Sequence, residues 1–600
     1  MKTAAPPAGL RAERPRHLSP LEGRPQSPEA SDVIHHRGPG VSRPVSKPGV
    51  IGGLLMFVLS LLPSLLPKLP VTQGVVSGIS FIVGYGLGAG WQWAWNYLEL
   101  SEPHGRVWAV FRWLWFAVLA YLLLTAMWRF VGWQNDMRDT FGMERISPTI
   151  WLTIIPVAFA LSSLILSIAR SSRRLFLFLV KWLGKLFPRR LAVVLGGVGL
   201  VFTVWGLWSG VLVNTFFAVA NQVLAPRDTG TAEGITRPTS ELKSGSPESL
   251  VAWETLGEKG RTFVATGPSV DELNAFHGDN AMEPIRVYVG LKSADTVEAR
   301  AQLVLDELIR TEAFDREVLV VATTTGTGFL EPNAMSALEY VHNGDVAVAG
   351  AQYSHLPSWI SLLADQDEVK ETSQTVFATI HAYVSTLPED ERPEIYLYGL
   401  SLGAYGVEAI LTSINIINEP IDGALMVGPP FVNELWRELV ADRDPDSSPS
   451  TPVYQGGRTV RFTNQADALH LPGDQEEWGE TRVVYLQHAS DPVVFFSPSL
   501  FFNQPDWLFD GQRGAEISDE FHYARLITGW QVMMDLPAAG SIPEGYGHLY
   551  TNQANARAWI AVTRPEGWTA AETERLVAFL ADSDPEGQTH QDQTGQDSNN

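Results

Sequence analysis

The 600-residue chain contains no cysteine. That excludes disulfides, thiolate metal sites and a cysteine nucleophile, and it leaves the redox compartment open. Positive charge is scarce in one half only. Residues 1–221 carry 21 Lys and Arg against 9 Asp and Glu, a balance of +12; the remainder carries 22 against 57, a balance of −35. The strongly acidic back half would repel phosphates, so a nucleic-acid partner is not expected. A basic, apolar front followed by an acidic back points to a membrane part and a soluble part.

Residues 1–48 are rich in Pro, Arg, Ser and Gly without apolar periodicity, and they read as a disordered basic tail. The first apolar run lies too far along for an ordinary signal peptide and has no A-x-A end, so no cleavage is expected. Five apolar segments follow in a transmembrane region spanning 49–221: 50–67, 71–95, 107–128, 149–169 and 191–213. Each approaches or exceeds the roughly 20 residues that cross about 30 Å of hydrocarbon. Pro63 and Pro67 interrupt the first, which could instead form a shallow hairpin with the second. Gly74, Gly78, Gly84, Gly86, Gly88 and Gly90 in the second suit close helix contact.

Basic residues concentrate in the N-terminal tail, with eight, and in 170–190, with seven. By the positive-inside rule both belong in the cytoplasm, and five crossings then put everything after Val213 outside. The stretch "RRLFLFLVKWLGKLFPRR" mixes basic and aromatic residues, which predicts a helix lying in the inner interface. The spans carry no embedded acid or base apart from Arg112 near one end, and this disfavours transport.

From 222 to 284 the chain is polar and turn-rich and reads as a linker and pre-catalytic segment; a catalytic domain follows over 285–582 and a solvated tail over 583–600. Strand patterns occur at 285–291, 317–324, 345–353, 394–400, 423–428 and 482–489, with helical stretches at 296–311, 375–387 and 516–535. Apolar strands alternating with helices predict a mostly parallel sheet covered on both faces, with ligands at the carboxyl ends of the strands.

"YLYGLSLGAYG" sets Ser401 directly after one such strand and before a helix. A nucleophilic serine on that turn needs small neighbours, and Gly399 and Gly403 supply them. It also needs a base and an acid to orient the base, which in this architecture follow in the order Ser, Asp or Glu, His. Asp491 in "HASDPVVFF" sits just past a strand, and His548 lies in the loop "EGYGHLY". Competing histidines have other readings: His488 pointing into the sheet, His470 on a cap, and His522 on a helix. Asp467 and Asp474 read as solvated loop carboxylates. Donors to a developing oxyanion are expected from the N–H of Leu402 and from Thr327 or Gly328 in "TTTGTGFLEP". No G-K-[ST] follows that loop, so a phosphate cradle is not indicated.

These stretches resemble a family. "LSLLPSLLPKLPVTQGVVSGISFIVGYGLGAG" is similar to the membrane region, and "TTTGTGFLEP", "QYSHLPSW", "YGLSLGAYG" and "LQHASDPVVFF" to the catalytic half, of a bacterial, mainly actinobacterial, family of membrane-anchored α/β-hydrolases. The resemblance covers about 50–565. It implies an α/β-hydrolase fold behind an all-α membrane domain, with Ser401, Asp491 and His548 where a triad is expected. His355 stands where an aromatic is expected and would line the entrance. The expectation is a membrane serine hydrolase of acyl esters, needing no metal or cofactor, with the bilayer and a lipid or small ester as partners. Its alternatives are an acyltransferase using the same triad and a non-catalytic scaffold.

Overall fold

The computed structural model describes residues 45–100, 105–188, 190–191, 195, 197, 230–356, 361, 366–413, 421–464 and 478–583. Four helices open the described chain: α1 (Lys47–Leu59), α2 (Pro70–Tyr97), α3 (Arg106–Thr140) and α4 (Trp151–Leu183). Among the described residues α2, α3 and α4, the last extended by a short turn from Pro148, are long and apolar enough to cross a membrane. The expected first crossing, 50–67, takes another form. It gives the 13-residue α1, about 20 Å at 1.5 Å per residue, and then a non-helical stretch over 60–69. Pro63, Pro67 and Pro70 lack the N–H that would continue the helix. The expected fifth crossing, 191–213, falls almost wholly outside the described residues.

Small residues let these helices touch. A Cβ on Gly52 or Gly84 would strike the backbone of the other, and one on Gly88 would strike Pro48, so α1 and α2 pack antiparallel as a hairpin. Gly74 meets Val157 and Gly78 meets Ala158, so α2 runs parallel to α4. Gly86 and Gly90, also expected at contacts, have open space instead. The basic–aromatic stretch starting at Arg173 continues α4 to Leu183 without a break, so it is not the separate interfacial helix its composition predicts.

The polar segment read as a linker is folded from residue 230 onward. Ser244 N–H donates to Arg286 O at 3.1 Å and Arg286 N–H to Leu242 O at 3.2 Å. Glu307 then clasps the next turn, accepting from Ser244 Oγ (2.8 Å), Ser249 Oγ (2.9 Å) and Leu250 N–H (2.7 Å). Two helices follow, α5 (Gly257–Ala265) and α6 (Val270–His277), the second opened by a Ser269–Glu272 capping box.

The α/β domain then alternates β1 (Ile285–Val289), α7 (Val297–Arg310), β2 (Val318–Thr323), α8 (Pro332–Val341), β3 (Val346–Ala351), α9 (Gln366–Val384), β4 (Glu394–Leu400), α10 (Leu402–Leu411), β5 (Gly423–Val427), α11 (Glu434–Ala441), β6 (Val460–Thr463) and β7 (Arg482–Leu486). After an irregular stretch come α12 (Ile527–Met533), α13 (Asn552–Thr563) and α14 (Ala570–Ser583). All seven strands are parallel, in the order β1-β3-β2-β4-β5-β7-β6. Strands β1, β2, β3 and β5 are buried at every residue, as a sheet covered on both faces requires. The four-residue edge strand β6 was not foreseen. The long helix expected over 516–535 shrinks to α12.

This order locates a crevice. From β2 the chain moves outward to β3, and from β4 it moves the opposite way to β5. Strand order therefore reverses between β2 and β4, where open α/β sheets bind ligands at the strand carboxyl ends.

Candidate active site

Ser401 follows β4 at that crevice, with φ 54° and ψ −125°, a conformation costly to any residue with a Cβ. Two hydrogen bonds and two close backbone approaches impose it. Ser401 N–H donates to Val427 O at 2.8 Å, while its own carbonyl accepts from Ala404 N–H at 2.8 Å as α10 begins. A Cβ on Gly399 would collide with the Gly403 backbone, and one on Gly403 with Thr323 O. Both motif glycines are therefore required by the close approach of strand, helix and the β2 loop. Ser401 itself is half-buried.

Asp491 lies just beyond β7, fully buried, at the start of a single helical turn over Pro492–Phe495. One carboxylate oxygen, Oδ1, caps that turn by accepting Val493 N–H at 2.8 Å. The other, Oδ2, takes His548 Nδ1–H at 2.6 Å. The Asp-Pro pair thus starts a turn and holds an imidazole at the same time.

His548 lies across Gly428, the residue after β5. A Cβ there would come within 2.6 Å of the ring's Cε1 and 2.9 Å of Nδ1. Gly428 adjoins Val427, whose carbonyl holds Ser401 N–H. Imidazole and elbow therefore share one rim of the sheet. Nε2 of His548 is buried and has no hydrogen-bond partner among the described residues. Its backbone N–H donates to Ala539 O at 3.0 Å.

Two aromatic rings complete the setting. Tyr550 OH donates to Asp491 Oδ2 at 2.7 Å. Burial first, and then the charge of Asp491, pushes that phenol well above its usual ionisation range. His488 stacks on Tyr550 with ring centroids 4.2 Å apart, and its Nδ1 bonds Gly547 O at 2.9 Å. Burial lowers its pKa. So His488 steadies the loop before His548. Ser490 does the same, accepting Gly547 N–H at 2.9 Å while its own hydroxyl donates to Glu516 Oε2 at 2.5 Å.

The proposed oxyanion donors divide. Leu402 opens α10 next to Ser401. Thr327 lies half-buried in the β2 loop, its carbonyl accepting from Gln352 Nε2 at 3.2 Å. Gly328 N–H donates within the same turn, to Thr325 O at 2.9 Å. Gly328 turns the chain, with φ 82°, and its carbonyl accepts from Tyr288 OH at 2.6 Å. His522, expected on a helix, is exposed in an irregular stretch. His470, Asp467 and Asp474 lie outside the described residues, and His355 sits two residues past Tyr353 in the loop after β3.

Comparison with known proteins agrees with this fold. Residues 285–576 match an alpha/beta-hydrolase family, and residues 61–268 match the N-terminus of an alpha/beta-hydrolase family. The chain belongs to the alpha/beta-hydrolase family. No curated protein and no solved structure matches it. The seven-stranded parallel sheet is thus an α/β-hydrolase fold behind a helical, apolar N-terminal region, the architecture expected from the sequence. Tyr550 is the contributor to this candidate site that sequence reasoning missed. Its one local signal is an aromatic two residues beyond the candidate histidine.

Proposed function

We propose that this hydrolase cleaves acyl esters through Ser401, His548 and Asp491. The observation that carries the reading is the imidazole of His548. It is pinned at Nδ1 by a buried carboxylate and keeps Nε2 buried and unpartnered, with the ring over Gly428, next to the residue whose carbonyl holds the strained serine turn. That fixes the tautomer, with the proton on Nδ1 and a lone pair on Nε2.

In the reaction Ser401 Oγ attacks the ester carbonyl carbon as Nε2 takes the hydroxyl proton. The carbonyl oxygen gains negative charge and is met by the N–H groups of Leu402 and the Thr327 turn. The bond to the alcohol oxygen then breaks, with His548 returning the proton to that oxygen. Water repeats the sequence on the acyl-enzyme, releasing the carboxylic acid and restoring Ser401. Asp491 stays ionised throughout and stabilises the imidazolium that forms at each stage.

The helix directions support an extracytoplasmic site. Helices α1 and α3 run toward the α/β domain, and α2 and α4 away from it. Lys47, where the basic tail joins, and the basic end of α4 after Arg170 are therefore remote from the catalytic half. With basic segments inside, the hydrolase faces out and its substrates are acyl esters of the envelope. A fluorophosphonate probe tests the chemistry. Labelling of the full-length protein that disappears in Ser401→Ala supports it, and a folded wild type that takes no label refutes it.

A further inference from the structure

We infer that the membrane part of the chain is a bracket for the active-site histidine, with Lys68, Asp535 and Phe141 as its positioning residues. The inference rests on the triad proposed above. A turn joining two membrane helices ordinarily meets water or headgroups, yet Ser60, Leu61, Ser64, Leu65, Leu66 and Lys68 are all buried. Leu61 packs among the membrane helices with Phe130, Ile150 and Ile154, whereas Ser64, Leu65, Leu66 and Lys68 are buried against the hydrolase, the polar two of them on α12 and the residues that follow it toward His548.

The contacts form a chain of named atoms. Gln531 Nε2, on α12, donates to Leu62 O at 2.5 Å and to Ser60 O at 3.4 Å. Lys68 Nζ donates to Gln531 O at 3.1 Å and forms an ion pair with Asp535, which also accepts from Ser64 Oγ at 3.4 Å. Lys68 is itself held from α3, its backbone N–H donating to Gln134 Oε1 at 2.6 Å. From Asp535 the path to the site is short. Asp535 O accepts Ala538 N–H at 2.9 Å, and the neighbouring Ala539 O accepts His548 N–H at 3.0 Å. On a second flank the ring of Phe141, just past α3, packs on Tyr546 with centroids 4.5 Å apart, two residues before His548.

The ion pair is informative because of where it lies. Lys68 is 2 % exposed and Asp535 not at all. Two charges taken that far from water add little stability over an apolar pair of the same size, whereas removing one partner strands the other. Such a pair is suited to fixing register. Leu65, Leu66 and Phe141 already join the hydrophobic core, but apolar faces alone could slide. Directional bonds at Gln531 and Asp535 hold the segment to one position. Catalysis demands this, since a displacement of about 1 Å in a reacting group can cost roughly a hundredfold in rate.

The test uses full-length protein in nanodiscs, with p-nitrophenyl butyrate turnover and fluorophosphonate labelling as readouts. Lys68→Met and Asp535→Leu are each expected to lower kcat about ten- to a hundredfold with KM little changed, and the double variant to recover most of the loss. A purely structural contact would instead lower the amount of folded enzyme and leave kcat per labelled site unchanged. Should either single variant fail to fold, Phe141→Ala trims the second flank without stranding a charge and is expected to lower kcat likewise. Wild-type kcat per labelled site in the folded variants overturns the bracket. Failure of wild-type protein to label at Ser401 would instead overturn the triad reading beneath it.

Discussion

Tyr550 donates its hydroxyl to Asp491 Oδ2 at 2.7 Å, and this is the oxygen that also holds His548. With Val493 N–H on Oδ1, the buried carboxylate has three donors. Because the phenol is raised well above its usual ionisation range, it remains a donor at any working pH. Hydrogen bonds to a charged group are worth about 1.5–3 kcal/mol. Removing this one leaves Asp491 freer to turn away from the imidazole. Tyr550→Phe is expected to fold, to lose about ten-fold in kcat on a soluble ester, and to keep its KM. A rate equal to wild type would show that the carboxylate is oriented without the phenol.

Ser401 is the residue whose loss should make the protein more stable. Its φ of 54° and ψ of −125° place it where a Cβ is penalised, by about 1–3 kcal/mol. Glycine removes that penalty while giving up about 0.5–1 kcal/mol through the greater freedom of the unfolded chain. Ser401→Gly should therefore melt above wild type, by a margin on the order of 1 kcal/mol, and take no fluorophosphonate. Ser401→Ala keeps a Cβ at the same angles and should not share the gain. Thermal scans of the two variants side by side decide the matter: equal melting temperatures would mean the turn is not strained.

What could be read from the chain beforehand follows a physical divide. The six foreseen strands and the placement of Ser401, Asp491 and His548 depend on local signals: β-branched runs, glycines flanking a serine, an acid just past a strand. Each survives in a short window. The Lys68–Asp535 pair joins residues 467 positions apart, and no local pattern marks either side chain. Lys68 reads as one more loop charge until the partner is seen. The bond from Gly328 N–H to Thr325 O within its own turn is likewise unmarked in the sequence. The stretch after Gly230 reads as a linker because it is polar. Its polar groups are in fact the fastening, with serines and backbone N–H groups converging on one carboxylate.

That carboxylate belongs to Glu307 and yields a pH prediction. Burial by itself would raise its pKa, but Arg310, the Leu250 N–H and the Ser244 hydroxyl outweigh burial and leave it below the ordinary value. A group lowered on folding contributes stability above its unfolded pKa and loses it as pH falls through the folded one. The clasp on 244–250 should therefore weaken on acidification below about pH 4.5, the ordinary range for glutamate. Glu307→Gln should be destabilised by about 2 kcal/mol near neutrality and show a flatter melting curve against pH over that interval. Parallel slopes for variant and wild type would place the acid sensitivity elsewhere.

The absence of cysteine turns membrane orientation into a clean measurement, since any thiol introduced is the only one in the chain. The apolar part of α4 before Arg170 matches one hydrocarbon thickness of about 30 Å, and the basic residues from Arg170 to Lys181 lie past it, at the end away from the hydrolase. Those cations have their lowest free energy on the cytoplasmic side. Asp510 is fully exposed on the hydrolase, whereas Ser27 belongs to the basic tail. In intact cells a membrane-impermeant maleimide should modify Asp510→Cys, and should reach Ser27→Cys only after permeabilisation. The reverse pattern would put the catalytic half in the cytoplasm. It would keep an odd number of crossings in the inverted sense and confine the substrates to esters of the inner leaflet or the cytosol, whereas protection of both positions until permeabilisation would require an even number.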